Sequence, residues 1–332
     1  MANSKRRQRT ITFLALAAVQ LAGTAFVSEA NAQAYPARVI KLIAPYPPGG
    51  GVDTVARLIA ERLAPKLGQQ VVVDNKPGAG ATIGADALAK SPADGYTLML
   101  GSIIDYSIAP HFQKNLGFDM SRDFTPIVEV GFGTVGMVVA ADLPARSVKE
   151  LIALARAKPG ELSFASSGSG GAHHLEGEMF KQMAGVDMVH VPYKGTTQFL
   201  PDLIAGRVQM TVDSMPAHLP HIKSGKLRAR AVASKLRSPL LPEVPTMAEA
   251  GLPGFEASTN YTLFAPAGTP RDIVARLNKE TNEVLQQPDL RDRLLGLGII
   301  VSGGASEAVQ ARIAGEMGRW AGVIKAANIK LD

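Results

Sequence analysis

Apolar positions along the chain alternate between two rhythms. "RVIKLIAPY" (38–46), "QQVVVDN" (69–75) and "GYTLMLGS" (95–102) are short apolar runs bounded by turn residues, and they predict buried strands. Between them, "DTVARLIAERLAPKLG" carries apolar residues at helical spacing and stops at Gly68, while "KPGAGATIGADALAKSP" is a Gly-rich loop opening a second helix. A second series follows. "SVKELIALARAKPG" predicts a helix with a Ser147 cap and a Gly160 stop. "LSFAS" (162–166), "VDMVHVPY", "RVQMTVDS" and "KLRARAVAS" (226–234) predict strands, and "GGAHHLEGEMFKQMAG" and "TTQFLPDLIAG" predict helices. Strand–helix alternation of this kind predicts α/β architecture with parallel strands.

Between the two series, "SRDFTPIVEVGFGTVGMVVAADL" (121–143) reads as two strand-like runs with a Gly-rich break, a crossing between lobes. "RSPLLPEVPTMAEAGLPGF" is Pro-rich and irregular. "ASTNYTLFAPAGTP" (257–270) reads as a strand returning to the first lobe, and amphipathic helices follow at about 271–286, 289–296 and 305–326. The expected organisation is a first lobe of residues 35–136 and 259–332 and a second lobe of 137–258, with two hinge crossings and a ligand cleft between them.

The first 34 residues stand apart. Lys5, Arg6, Arg7 and Arg9 precede the apolar run "ITFLALAAVQLAGTAFV", and "ANA" (30–32) and "AQA" (32–34) both suit a signal peptidase. This is the pattern of a cleaved export signal, cut after Ala32 or Ala34, and predicts a periplasmic protein. The chain has no cysteine, which excludes a lipid-anchored cysteine, disulfides and cysteine metal sites. The net charge of +6 falls to +3 once the leader, with its four cations and one acid, is removed. The basic residues are scattered and aromatics make up only 5%, so nucleic-acid binding has no support.

Three Gly-rich loops, "PPGGG", "PGAG" and "SSGSGG", follow strands and so lie where α/β sheets place ligands. The first opens a helix, whose unpaired N–H groups and dipole suit an anion. It lacks the Lys-Ser/Thr of a phosphate loop, and Asp53 would repel a polyphosphate. Asp53 reads as the helix N-cap or as an acceptor toward a ligand or ordered water. In "DNKPGAGATIGADALAK", Gly84 falls one residue late for a dinucleotide fingerprint, and Asp94 lies in a turn. "FASSGSGGAHHLEGE" offers Ser166, Ser167 and Ser169 with Gly168, Gly170 and Gly171, a carboxylate cradle.

That loop does not fit a nucleophile elbow, and His174 has no evident orienting acid. His173, His174, Glu176 and Glu178 do not converge on a metal, because adjacent histidines leave different helix faces. One histidine is expected to pack between the lobes and the other to be solvated. Asp213 and Ser214 read either as caps of the helix from 216 or as ligand contacts. Lys194 in "HVPYKG" reads as a surface lysine. No nucleophile is paired with a base, so binding without catalysis, metal or cofactor is expected.

Taken together, "PYPPGGGVDTVAR", "VVVDNKPGAGATIGADALAKSPADGYTLMLG", "FTPIVEV", "VHVPYKG", "DLIAGRVQMTVDS", "LPEVPTMAEAGLPGFE" and "FAPAGTP" resemble, in order from about residue 35 to 325, the Bug or TctC family of receptors for tripartite tricarboxylate transporters. The resemblance implies a two-lobed, hinged, monomeric receptor. Its carboxylate ligand would be held by the first loop and the Ser/Gly loop, partly through ordered water, and passed to a membrane permease. Carried onto this chain, the binding residues are Pro48, Gly50, Gly51 and Asp53; Ser102; Ser166, Gly168, Ser169, Gly170 and Gly171; Asp213 and Ser214; and Asn260. Two positions depart from the family: Gly171 stands where a serine is frequent, and Asn260-Tyr261 where an aromatic pair with tryptophan is common. Dicarboxylates, tricarboxylates, amino acids and aromatic acids remain open as ligands. A sensor subunit for a membrane kinase and a periplasmic hydrolase are the other readings.

Overall fold

The first predicted strand, helix and loop assemble as a parallel unit. In the computed structural model, which describes residues 35–113 and 115–326, β1 (Ile40–Ala44) pairs in parallel with β2 (Val71–Asn75) and β3 (Thr97–Gly101). The connecting helices are α1 (Gly51–Leu67) and α2 (Thr82–Ala89). Leu42 and Ile43 are fully buried, as expected of a strand covered on both faces. The predicted export signal lies outside the described residues.

The next two helices, α3 (Ile103–Phe112) and α4 (Met120–Asp123), lead into β4 (Phe124–Ala140). No helix was expected at α3. Its residues Ile103 to Ala109 are all buried, so it has no polar face to create a helical rhythm, and Pro110 lies inside it. β4 corrects the expectation of two runs with a break: it is one strand of 17 residues. Its glycines admit close neighbours and make no turn. A Cβ at Gly131 would lie 2.4 Å from the Ile300 carbonyl oxygen, and one at Gly136 2.7 Å from Met215 Sδ.

The chain continues with α5 (Val148–Ala157), β5 (Ser163–Ser166), α6 (Ala172–Ala184), β6 (Val189–Pro192), α7 (Thr196–Ile204), β7 (Met210–Ser214), α8 (Leu219–Lys223) and β8 (Leu227–Val232). The chain then returns through β9 (Ser258–Pro266), α9 (Arg271–Leu285), α10 (Pro288–Gly296), β10 (Ile299–Val301) and α11 (Ser306–Ala326). Strand order is β2-β1-β3-β9-β4-β7-β5-β6, with β8 and β10 also on β4. The sheet is mixed, and β4 accounts for this. From Phe124 to Thr134 it runs antiparallel to β9, and from Val135 onward antiparallel to β7 and β8. One strand thus belongs to both halves of a two-lobed α/β fold.

The larger core lies in the second lobe around Met137, Phe164, Leu175, Phe180 and Val212, and Ile104 and Ile108 of α3 reach into it. α11 packs back on α3 and β4 and adds Trp320, fully buried, to the same core. A second cluster, with Phe199, Leu203, Met215 and Leu219, lies under α7 and α8.

Candidate functional site

A cleft runs between the halves of the sheet. One wall is Tyr46, Pro47 and Gly50 to Val52 at the start of α1, with Ser102 and Asp105 at the start of α3. The other is Ala172 and His173 at the start of α6, Thr196 at the start of α7 and Ser214 at the end of β7. Ser258 and Thr259 close it. The cavity between these walls is about 20 Å³, room for about one water.

The start of α1 is a bare helix end. Its cap is Gly50, which offers no side-chain hydrogen bond, so first-turn N–H groups face the cleft without a side-chain partner. A Cβ added at Gly51 would lie 3.1 Å from the Tyr261 hydroxyl and 3.3 Å from Ser214 Oγ. The Tyr261 hydroxyl is fully buried and has no partner of full hydrogen-bond geometry; the Ser214 side chain lies beside it. Burial pushes this phenol well up. Two hydroxyls therefore converge on an uncapped helix N-terminus.

Asp53 is not the cap; it sits in the first turn and is absent from the cleft lining. One oxygen accepts the Gly49 N–H at 2.8 Å and Arg57 Nε at 3.0 Å; the other accepts Asn75 Nδ2 at 2.9 Å and pairs with Arg57 Nη2 at 2.9 Å. Those four contacts use the acceptor capacity of a carboxylate. Burial acts upward on its pKa, but Arg57, the Gly49 N–H and Asn75 hold it below the usual range. Through these contacts Asp53 ties the loop to α1 and β2. Pro48 is exposed beside the lining Pro47.

The Ser/Gly loop meets protein. Ser166 Oγ lies 2.7 Å from His190 Nε2, and Ser167 Oγ lies 2.6 Å from His173 Nδ1. A Cβ at Gly168 (φ +144°) would lie 2.7 Å from the Gly80 N. One at Gly80 (φ +62°) would lie 3.0 Å from the Gly171 N and 3.1 Å from the Ser169 carbonyl oxygen. The glycine loops of the two lobes therefore touch backbone to backbone. Ser166, Gly168, Ser169, Gly170 and Gly171 lie outside the lining, and the residues that follow, Ala172 and His173, line the cleft instead.

Behind that wall is a buried charge network. Asp213, fully buried, accepts from the Ser214 N–H (2.7 Å) and Thr196 Oγ1 (2.7 Å), and pairs with His173 Nδ1 (2.9 Å) and His218 Nε2 (3.0 Å). Burial raises its pKa, but His173 outweighs that and holds it far below the usual carboxylate range. For His173, burial opposes the charge, yet Asp213 lifts it to about 10. Ser167 and Asp213 share the same imidazole nitrogen, whereas a hydrolytic triad needs nucleophile and acid on opposite nitrogens. Neither Asp213 nor Ser214 caps the following turn through its side chain.

The second histidine is not solvated. His174 is buried, stacked on His190 at 3.5 Å, and lowered to about 3 by burial and by His190. Glu176, one turn beyond His173, is buried with both carboxyl oxygens unpartnered. Burial raises it to about 8; Asp213 and Asp105 add to this and His173 opposes it. Lys194 is exposed.

Of the expected residues, Gly50, Gly51, Ser102 and Ser214 line the cleft. Asn260 stands behind Ser102, which donates to its Oδ1 at 3.0 Å. Sequence reasoning missed Tyr46, Asp105, His173, Thr196, Ser258 and Thr259. Asp105 is the most consequential of these. Its Oδ1 accepts the Ala172 N–H at 2.9 Å, its Oδ2 accepts the Tyr46 hydroxyl, and burial raises its pKa against the pull of His173.

Residues 55–329 match the family model of the tripartite tricarboxylate transporter family receptor. The chain is 42% identical to a protein encoded in the tcbD-tcbE intergenic region of Pseudomonas sp. strain P51, over 92% of this chain and 91% of that one. It is 39% identical to BugT of Bordetella pertussis, over 96% and 98%. Among solved structures it is similar to the periplasmic binding protein BugD (TM-score 0.86, 36% identity, 89% and 99% covered). Two Rhodopseudomonas palustris proteins are also similar: Rpa4515 with adipate (0.85, 39%, 89% and 99%) and MatC with bound malate (0.83, 32%, 87% and 100%). The chain belongs to the tripartite tricarboxylate transporter receptor family. This is a family of periplasmic solute-binding proteins without catalysis.

Proposed function

We propose that the chain is a periplasmic receptor that binds a small carboxylate in the interlobe cleft and delivers it to a tripartite tricarboxylate-type permease. The observation that carries this reading is the uncapped N-terminus of α1 at Gly50 and Gly51, facing the cleft with the Tyr261 and Ser214 hydroxyls converging on it. Backbone N–H groups and a helix dipole stabilise a carboxylate without a fixed cation, which suits a protein that must release its ligand. The relatives that hold adipate and malate support the same ligand class.

Ser102 and Ser214 complete the proposed contacts, with Asn260 orienting Ser102. The cleft as it stands admits about one water, so entry of an acid requires the lobes, 35–136 with 259–332 and 137–258, to part about β4 and the segment before β9. The test is calorimetry on the exported chain with a panel of carboxylic acids. Acids of one class should bind, and Gly51→Ala, whose methyl enters the space before Tyr261, should weaken them about ten-fold or more. Unchanged affinity in Gly51→Ala would overturn the site.

A further inference from the structure

Four helices begin at the cleft: α3 is capped by the Ser102 hydroxyl, α1 and α7 begin at the bare glycines Gly50 and Gly195, and α6 is already occupied by a carboxylate of the protein itself. The cap of α6, Gly171, offers no side chain, and the Ala172 N–H is taken by Asp105 Oδ1 at 2.9 Å from the opposite wall. At α1 the first-turn acid, Asp53, is turned back onto Gly49, Arg57 and Asn75, and no carboxylate of the protein fills that end.

The charges facing the cleft are unequal. Among the described residues no lysine or arginine lines it; its charged members are Asp105 and His173. His173 is paired with Asp213 at 2.9 Å, so those two charges offset each other. The hydrogen-bonding neighbours of Asp105 are neutral: a phenol, a peptide N–H and the Ser102 hydroxyl. A carboxylate has about four acceptor sites, so at least one stays open. Asp105 therefore lines the cleft as an acid with no cationic side chain bonded to it, its burial acting against the charge and the nearby His173 in favour of it.

The geometry points to a ligand with two unlike poles: a carboxylate at the α1 N-terminus and a protonated amine at Asp105. This rests on the carboxylate reading above and assigns the second pole and its specificity residue. Beside Asp105 a second carboxylate meets two obstacles. The α6 N-terminus is occupied, and the newcomer would face a like charge in a site with little water. An ammonium reverses both effects, supplying Asp105 with its missing cation through charge-assisted hydrogen bonding to the acceptor capacity that stays open.

The experiment is calorimetry on the exported chain with acids in matched pairs. In one set an ammonium replaces a hydroxyl at the same carbon; in the other it replaces the distal carboxylate of a diacid of equal length. In the best pair the amino member should bind about ten-fold tighter or more. Asp105→Asn keeps an acceptor for the Ala172 N–H, removes the charge, and turns the group facing the Tyr46 hydroxyl from acceptor to donor. It should bring the ratio within about three-fold. A wild-type preference for the diacid or hydroxy acid overturns the inference even should Asp105→Asn fail to fold, and so does a ratio that survives the substitution. If acids bind and Gly51→Ala weakens them, yet no amino preference exists, only this inference falls. If no acid binds the wild type, the receptor reading falls with it.

Discussion

Glu176 is a shape-preserving test of the buried charge network. Glu176→Gln removes the ionisable proton and retains the packing. Both oxygens of Glu176 are unpartnered and its surroundings already hold Asp213 and Asp105, so the folded protein keeps it neutral, with its pKa raised from 4.5 to about 8. The unfolded chain ionises it at the ordinary value. Between the two, the folded state holds a proton that the unfolded state has lost, so stability falls as pH rises, by up to about 1.4 kcal/mol per unit. The whole effect is on the order of 3 to 5 kcal/mol.

In the variant this contribution is absent. The stability difference, variant minus wild type, should be level at about pH 4, climb through the window, and level off again above about pH 8. His173 acts in the same direction higher up: its stabilisation is present below 6.5 and lost as pH rises through about 10. Most of it survives in the variant, because Asp213 contributes more to it than Glu176 does; the contribution of Asp213, lost as pH falls, stands in both proteins. The sole tryptophan, Trp320, is fully buried and reports unfolding. Urea denaturation followed by its fluorescence at several pH values gives the two curves. Parallel curves, within about 0.5 kcal/mol from end to end, would refute the reasoning.

Two further substitutions probe the walls of the cleft. Asp213→Asn strips the acid from two buried imidazoles and should destabilise the fold by about 3–5 kcal/mol in the same urea assay, with the His173 ring turning neutral at pH 7 by NMR titration. Gly168→Ala sets a methyl 2.7 Å from the Gly80 N at φ +144°; by holding the glycine loops apart it should lower ligand affinity about ten-fold or more, read by calorimetry against Gly225→Ala, where the added methyl meets nothing within 4 Å.

Much of the fold is legible wherever burial is one-sided or runs are short. β1 to β3 stand out as apolar runs between Gly, Pro and Asn. The amphipathic helices α9, α10 and α11 fall within one residue of their expected ends, because each has a solvent face that creates the rhythm. α3 fails for the opposite reason, being buried all round. β4 misleads because a glycine that lets Ile300 or Met215 approach looks the same as a glycine that turns the chain.

The same ambiguity governs the site. Gly168 and Gly171 signal that something comes close to the backbone; that it is Gly80, some ninety residues earlier, is long-range information. Asp105 and Ala172 are 67 residues apart, and nothing local to either reveals the bond. The first loop reads well because an uncapped helix start after a strand is a local feature.

The antiparallel pairing of β4 with β9 has a mechanical meaning. Its hydrogen bonds run from Phe124↔Pro266 to Thr134↔Ser258, with register shifts near Pro126 and Glu129. If the lobes part as proposed, a ribbon of this kind would flex like a leaf spring, sharing the deflection among many peptides and asking no single one to rotate far. The restoring force would then depend on residues remote from the proposed acid site, so that stiffening or softening those irregular rungs would retune dwell time while the chemistry that chooses the ligand stays untouched.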